Sequence, residues 1–185
     1  EQLKNQLSSM HAVLSWRFAD DELSILPAEP VAIEARDPAT NEVFALTLPK
    51  WRLGAHTLTG ENGLIDSVQQ RAGGVQSIFV RMPEGLVRVA TTVRGADGER
   101  VLWTLFPNDH PLSAAIFRGE TYFGRTFVVD QWYVAIYTPL RDSSDQVIGM
   151  VGTALSEAQS VGRLGESLKL LDTTDQRRFI LFDGK

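Results

Sequence analysis

No cysteine occurs among the 185 residues of this chain. That absence excludes thiolate metal sites, thiol nucleophiles and disulfide staples together. It leaves the compartment open, because a domain of this size buries enough core to stand without disulfides. Long apolar runs are missing as well, and nothing approaches the roughly 18 residues of a membrane span. Histidine is sparse: His11, His56 and His110 are far apart and match no metal-ligand spacing. Gly73-Gly74 and Gly149–Gly152 lack the spacing and the lysine of a phosphate-cradling loop, and no G-x-S-x-G elbow appears. Asp66, Asp97 and Asp109 sit where turn or cap chemistry accounts for them. Basic charge is scattered and the net charge is −5, so the footprint of a nucleic-acid binder is absent. The chain is therefore expected to be no enzyme, to carry no metal and no cofactor, and to bind no nucleic acid.

What is present is an ordinary globular balance, 43% apolar and 22% charged. The chain opens on Glu1 with no leader, which reads most simply as an excised domain with any membrane segments outside it, though a processed secreted protein would look the same at this end. Leu3, Leu7, Met10, Leu14 and Phe18 recur every three or four residues and predict a helix over residues 1–19. That stripe suits packing on the domain itself or a dimer seam.

From Leu26 the texture changes to strands and turns. Val31–Asp37 and Glu42–Leu48 flank the turn residues Asp37–Asn41. Leu64, Ile65 and Val68 mark a short helix stopped by Gly73-Gly74. Strand character follows at Val75–Arg81, Leu86–Val93, Arg100–Phe106, Glu120–Val129, Trp132–Leu140 and Gln146–Ala154. Ala96-Asp97-Gly98 is a hairpin signal, and a helical excursion falls near Leu112–Phe117. Val161, Leu164, Leu168 and Leu171 mark a C-terminal helix over about 156–171. Tight turns between successive strands favour one antiparallel sheet, an α+β domain. Residues 1–175 form that single domain, with its core at about 31–155. Residues 176–185, with Phe179–Phe182, are an extra strand or the start of a following segment.

All three tyrosines fall between Tyr122 and Tyr137, beside Phe123, Arg125, Phe127 and Trp132. On a strand, Tyr133, Ala135 and Tyr137 share one face. Arg88 interrupts the apolar run Leu86–Val93, where a buried guanidinium needs an anionic or carbonyl partner. Hydroxyls, aromatic walls and an arginine suit a small carboxylate. The same residues also fit half-buried tyrosines on a sheet and a surface arginine.

Several segments resemble, in the right order, the sensor region of bacterial methyl-accepting chemotaxis receptors. They are LPKWRLG from Leu48, LIDSV from Leu64, VQSIFVRM from Val75, LVRVATTV from Leu86, GETYFGRTFVV from Gly119 and WYVAIYTPLRD from Trp132. The specific likeness, over about Leu48 to Leu155, is to the single Cache domain of the Cache 3/Cache 2 fusion type. The resemblance implies a PAS-like, five-stranded antiparallel sheet with a long N-terminal helix and a C-terminal helix. It implies a periplasmic module held between transmembrane helices absent from this chain, in a homodimeric receptor that drives a cytoplasmic signalling module. It further implies a small organic ligand, a short carboxylate such as acetate, over the central sheet. On that basis Arg88, Thr104, Tyr122, Arg125, Tyr133 and Tyr137 are pocket candidates, with Phe79 and Trp51 as walls. Trp103 stands where a small residue is expected and is a candidate plug. A plugged pocket fits the alternative of a ligand-free dimerisation or partner-binding module of the same fold.

Overall fold

A computed structural model describes residues 1–129 and 131–158. The order is α1 (Gln2–Asp20), β1 (Leu23–Arg36), β2 (Val43–Leu53), β3 (His56–Thr57), α2 (Gly63–Ala72), β4 (Val75–Met82), β5 (Gly85–Thr91), β6 (Leu105–Pro107), α3 (Pro111–Phe117), β7 (Tyr122–Val128), β8 (Gln131–Arg141) and β9 (Val147–Ser156). The expected C-terminal helix, beyond its first residues, and the Phe179–Phe182 run lie outside the described residues. None of the described helices is long and apolar enough to cross a membrane.

The stripe on α1 faces the chain's own sheet. Leu3 and Leu7 pack with Val134 and Ile136 of β8, and Leu14 joins the core beneath α2 and β2. His11, rather than Met10, completes the buried line. On the outer side Trp16 is 58% exposed.

β1 and β2 form a long hairpin in register from Leu23↔Leu53 to Arg36↔Val43. Its turn closes where Asp37 accepts the Ala39 N–H at 2.8 Å and Asn41 takes a φ of 61°, a conformation asparagine tolerates. The register shifts between Leu26 and Pro30, a stretch where Pro27 and Pro30 have no N–H to give to a ladder. With β3 this hairpin is a sheet of its own, so the domain has two sheets where the turn pattern suggested one.

The main sheet is antiparallel, ordered β6-β5-β4-β9-β8-β7. It has six strands where the resemblance implied five, and its edge strand β6 is only three residues long. The Ala96–Gly98 turn forms, with Gly98 N–H donating to the Gly95 carbonyl at 3.0 Å. Beyond it the expected strand Arg100–Phe106 is broken by Trp103, whose φ is 60°. An extended run cannot pass through a left-handed residue, so pairing resumes only at Leu105. The Trp103 indole rests against Gly60 in the core behind the sheet, not over the tyrosines.

Successive side chains of each strand point to opposite faces. One face carries Ile78, Val80, Val87, Val89 and Val151 against α1, α2 and the hairpin. The other carries Phe79, Leu86, Tyr133, Tyr137 and Met150, closed by Leu112 and Ile116 of α3. α3 starts cleanly because Pro111 sits in its first turn and the His110 side chain caps it, accepting the Leu112 N–H at 3.1 Å.

Candidate functional site

The α3 face of the sheet holds the least ordinary residue in the domain. Arg88 on β5 is 1% exposed. Its guanidinium carbon lies 5.0 Å from the Phe79 ring centroid, on the strand position directly opposite in the β4–β5 register. Nη1 reaches the Val101 carbonyl at 3.4 Å; among the described residues Nε is buried without a partner and no carboxylate pairs with the guanidinium. Burial pushes Arg88 below the usual arginine range, opposed by the neighbouring Tyr137 and Tyr133. An arginine nevertheless stays charged at neutral pH, so the fold carries an under-compensated cation where charge is costly.

Around it closes a small cavity lined by Val75, Ser77, Arg88, Val93, Val128, Tyr133, Tyr137, Gly152 and Ala154. Its volume is about 10 Å³, room for about one water. Register explains the grouping. Tyr137 lies opposite Gly152, and Gly152 opposite Ser77, across β8, β9 and β4. Gly152 is required there: a Cβ at this position would collide with the Tyr137 ring. Ser77 and Thr91 share a hydrogen bond of 2.8 Å at the β4–β5 side. Burial raises the Tyr137 phenol, while Arg88 and a hydrogen bond with Thr126 work the other way.

The sequence candidates divide sharply. Arg88, Tyr133 and Tyr137 line the cavity together. Phe79 lies beneath the guanidinium and meets Tyr137 edge-on, with centroids 6.1 Å apart. Tyr122 is half-buried one step out, its ring 6.3 Å from Tyr137. Thr104 is a backbone neighbour only, its carbonyl accepting the Arg88 N–H at 2.9 Å. Arg125 belongs to the other face, because alternation along β7 sends Tyr122, Gly124, Thr126 and Val128 toward the cavity and Phe123, Arg125 and Phe127 away. There it forms a two-pronged pair with Glu157 at 2.5 and 2.9 Å and lies 4.5 Å over Trp132. Trp51 is also behind the sheet, packed with Leu48 and Leu53.

Ser77, Gly152 and Ala154 escaped the sequence reading. Their alternation was visible, but which strand stands beside which is fixed by long-range pairing. His110 is a helix cap 4.9 Å from the Phe106 ring, and burial lowers its pKa from 6.5 to about 4. Among the described residues no group of three or more His, Asp or Glu side chains converges to hold a metal ion.

Comparison with known proteins gives one family. The model of the Cache 3/Cache 2 fusion domain matches residues 1–185. No curated protein matches the chain.

Proposed function

Because the chain belongs to the Cache 3/Cache 2 fusion family, we propose that it senses a short monocarboxylate, such as acetate, held on Arg88. Cache domains are extracytoplasmic sensor modules that bind small molecules. The observation that carries the choice of ligand is the buried Arg88 guanidinium with an unpartnered Nε. A carboxylate there gains charge-assisted hydrogen bonds worth about 1.5–3 kcal/mol each. The remaining walls are mostly apolar, and among the described residues no acidic side chain lines the cavity. An amino acid would leave its ammonium unpaired, a costly arrangement in a desolvated site. A dicarboxylate would likewise lack a second cation.

In this reading the domain faces the periplasm in a homodimeric chemoreceptor, sensor kinase or cyclase. Membrane helices flank it, and the ligand signal passes through them to a cytoplasmic output. Its role is binding rather than catalysis.

Thermal shift of the 185-residue chain with acetate, propionate, glycine and succinate tests the assignment. Ligand at a hundredfold excess over Kd adds about 2.7 kcal/mol, a rise in Tm of roughly 5–10 °C for a domain of this size. Acetate or propionate should produce it, and Arg88→Ala should abolish it while far-UV circular dichroism stays native. Equal stabilisation of that variant would remove Arg88 from the role.

The size of the cavity favours a second reading, in which the protein's own side chains fill the pocket and the domain serves dimerisation or partner binding. That version predicts no stabilisation by any of the four compounds.

A further inference from the structure

Behind the sheet, on the face turned away from the cavity, runs a buried polar chain centred on His11 of α1. His11 is 4% exposed. Its Nδ1 lies 3.0 Å from Thr153 Oγ1 on β9, and its Nε2 lies 2.9 Å from Thr138 Oγ1 on β8. Thr153 donates to Gln76 Oε1 of β4 at 2.7 Å, and the Gln76 amide donates to the Gly73 carbonyl at 2.9 Å. The direction of each bond follows. Gly73 can only accept, so Gln76 presents its oxygen to Thr153, whose single proton is thereby used. Thr153 must accept from His11 Nδ1–H, and a neutral ring then accepts from Thr138 at Nε2. Burial supports neutrality, lowering the pKa of His11 to about 4.

The three partners sit one residue from the cavity wall. Thr138 follows Tyr137, Thr153 follows Gly152, and Gln76 lies between Val75 and Ser77. Because strand neighbours point to opposite faces, β4, β9 and β8 each present one residue to the cavity and the next to the His11 chain.

We propose that His11 is a positioning residue that fixes α1 to the pocket strands, so that filling the Arg88 cavity is read out as a displacement of α1. The proposal rests on the sensing function above and adds its route of transmission. Apolar side chains on the same interface slide over one another at little cost, but hydrogen bonds depend on distance and angle. A tautomer-locked imidazole bonded to two strands cannot stay put when Tyr137 and Gly152 separate around a ligand. It must move with β8 and β9 or lose a buried bond.

The absence of cysteine makes site-directed spin labelling clean. Nitroxides at Ala12→Cys on the exposed side of α1 and Ser143→Cys in the exposed β8–β9 turn report the helix position by electron–electron dipolar spectroscopy. With acetate bound, the distance should shift by about 1–2 Å, the scale of helix movements in switching proteins. His11→Leu should bind acetate within about threefold of the parent yet lose the shift. Thr138→Val keeps the side-chain shape and removes one of the two bonds, so it should at least halve the shift. A full shift in either variant overturns the proposal, as does acetate binding to the parent with no shift.

A measurement that needs no ligand separates this inference from the sensing function. Nitrogen-15 NMR of the histidine rings should show His11 as the Nδ1–H tautomer. Gly152→Ala, which displaces the Tyr137 ring, should move the His11 ring signals and leave those of exposed His56 in place. If acetate does not bind but this response is present, the sensing assignment fails and the coupling stands. If His11 is indifferent to Gly152→Ala, the coupling fails whatever binds at Arg88.

Discussion

The two faces of the main sheet each bury a nitrogen base, and they treat it in opposite ways. Behind the sheet, His11 is neutral, and both ring nitrogens are bonded within a chain that ends on a backbone carbonyl. In front, Arg88 is charged, reaches the Val101 carbonyl by a long bond and has no partner for Nε among the described residues. Completed polar networks specify how elements fit together, whereas an incomplete one is a cost that folding alone does not explain. On the proposed sensing function, the difference separates architecture from reception on a single sheet, with one layer of backbone between them.

Four changes break or sharpen that contrast. The largest effect belongs to the packed face. Leu7→Ala deletes a fully buried side chain and should cost about 2–5 kcal/mol in urea unfolding, while acetate still adds its increment. Loss of that increment would show that the two faces are not separable.

Acidification comes next. His11 and His110 each have a folded pKa of about 4 against an ordinary 6.5. The unfolded chain therefore takes up these protons first. Their contribution is intact above about pH 6.5 and is lost as pH falls toward 4, by roughly 3 kcal/mol per site at the lower end. His11→Leu should flatten its share of that slope between pH 6.5 and 4.5, and identical slopes in parent and variant would contradict the assigned burial.

Arg88→Met then tests the receptive face. Replacing an under-compensated buried cation by an apolar chain of similar reach should raise ligand-free stability by about 1–3 kcal/mol and erase stabilisation by acetate. A destabilised variant would mean that Arg88 is structural. The smallest effect is expected at Arg125→Gln, which removes the partly exposed pair with Glu157. It should cost about 1 kcal/mol or less and leave acetate stabilisation unaltered, and a weakened response would restore Arg125 to the pocket.

Much of the fold was legible because local periodicity carries it. The helical stripe of α1, the hairpin about Asp37–Asn41 and the α2 stop at Gly73 all lie where pattern and turn chemistry agree. The division into two sheets was not legible, since nothing local says that β2 pairs with β1 and β3 alone. Nor was the shortness of β6 legible, because the left-handed backbone of Trp103 breaks the expected strand Arg100–Phe106. In the candidate site, Arg88 stood out as a charge inside an apolar strand, and the face shared by Tyr133 and Tyr137 followed from alternation. Ser77 and Gly152 required the β4–β9–β8 register. Arg125 and Trp51 entered through motif likeness, and the same alternation that grouped the tyrosines assigns Arg125 to the opposite face.

The cavity's size of about 10 Å³ has a bearing on dose. A site that admits one water must open before anything larger enters, and apparent affinity is the intrinsic affinity reduced by the fraction of molecules open. On the proposed sensing function, the concentration at which the domain responds is set by how firmly Tyr137 lies on Gly152, as much as by what Arg88 would hold. Substitutions that loosen or tighten that packing would retune the threshold of the response without altering a single contact to the ligand.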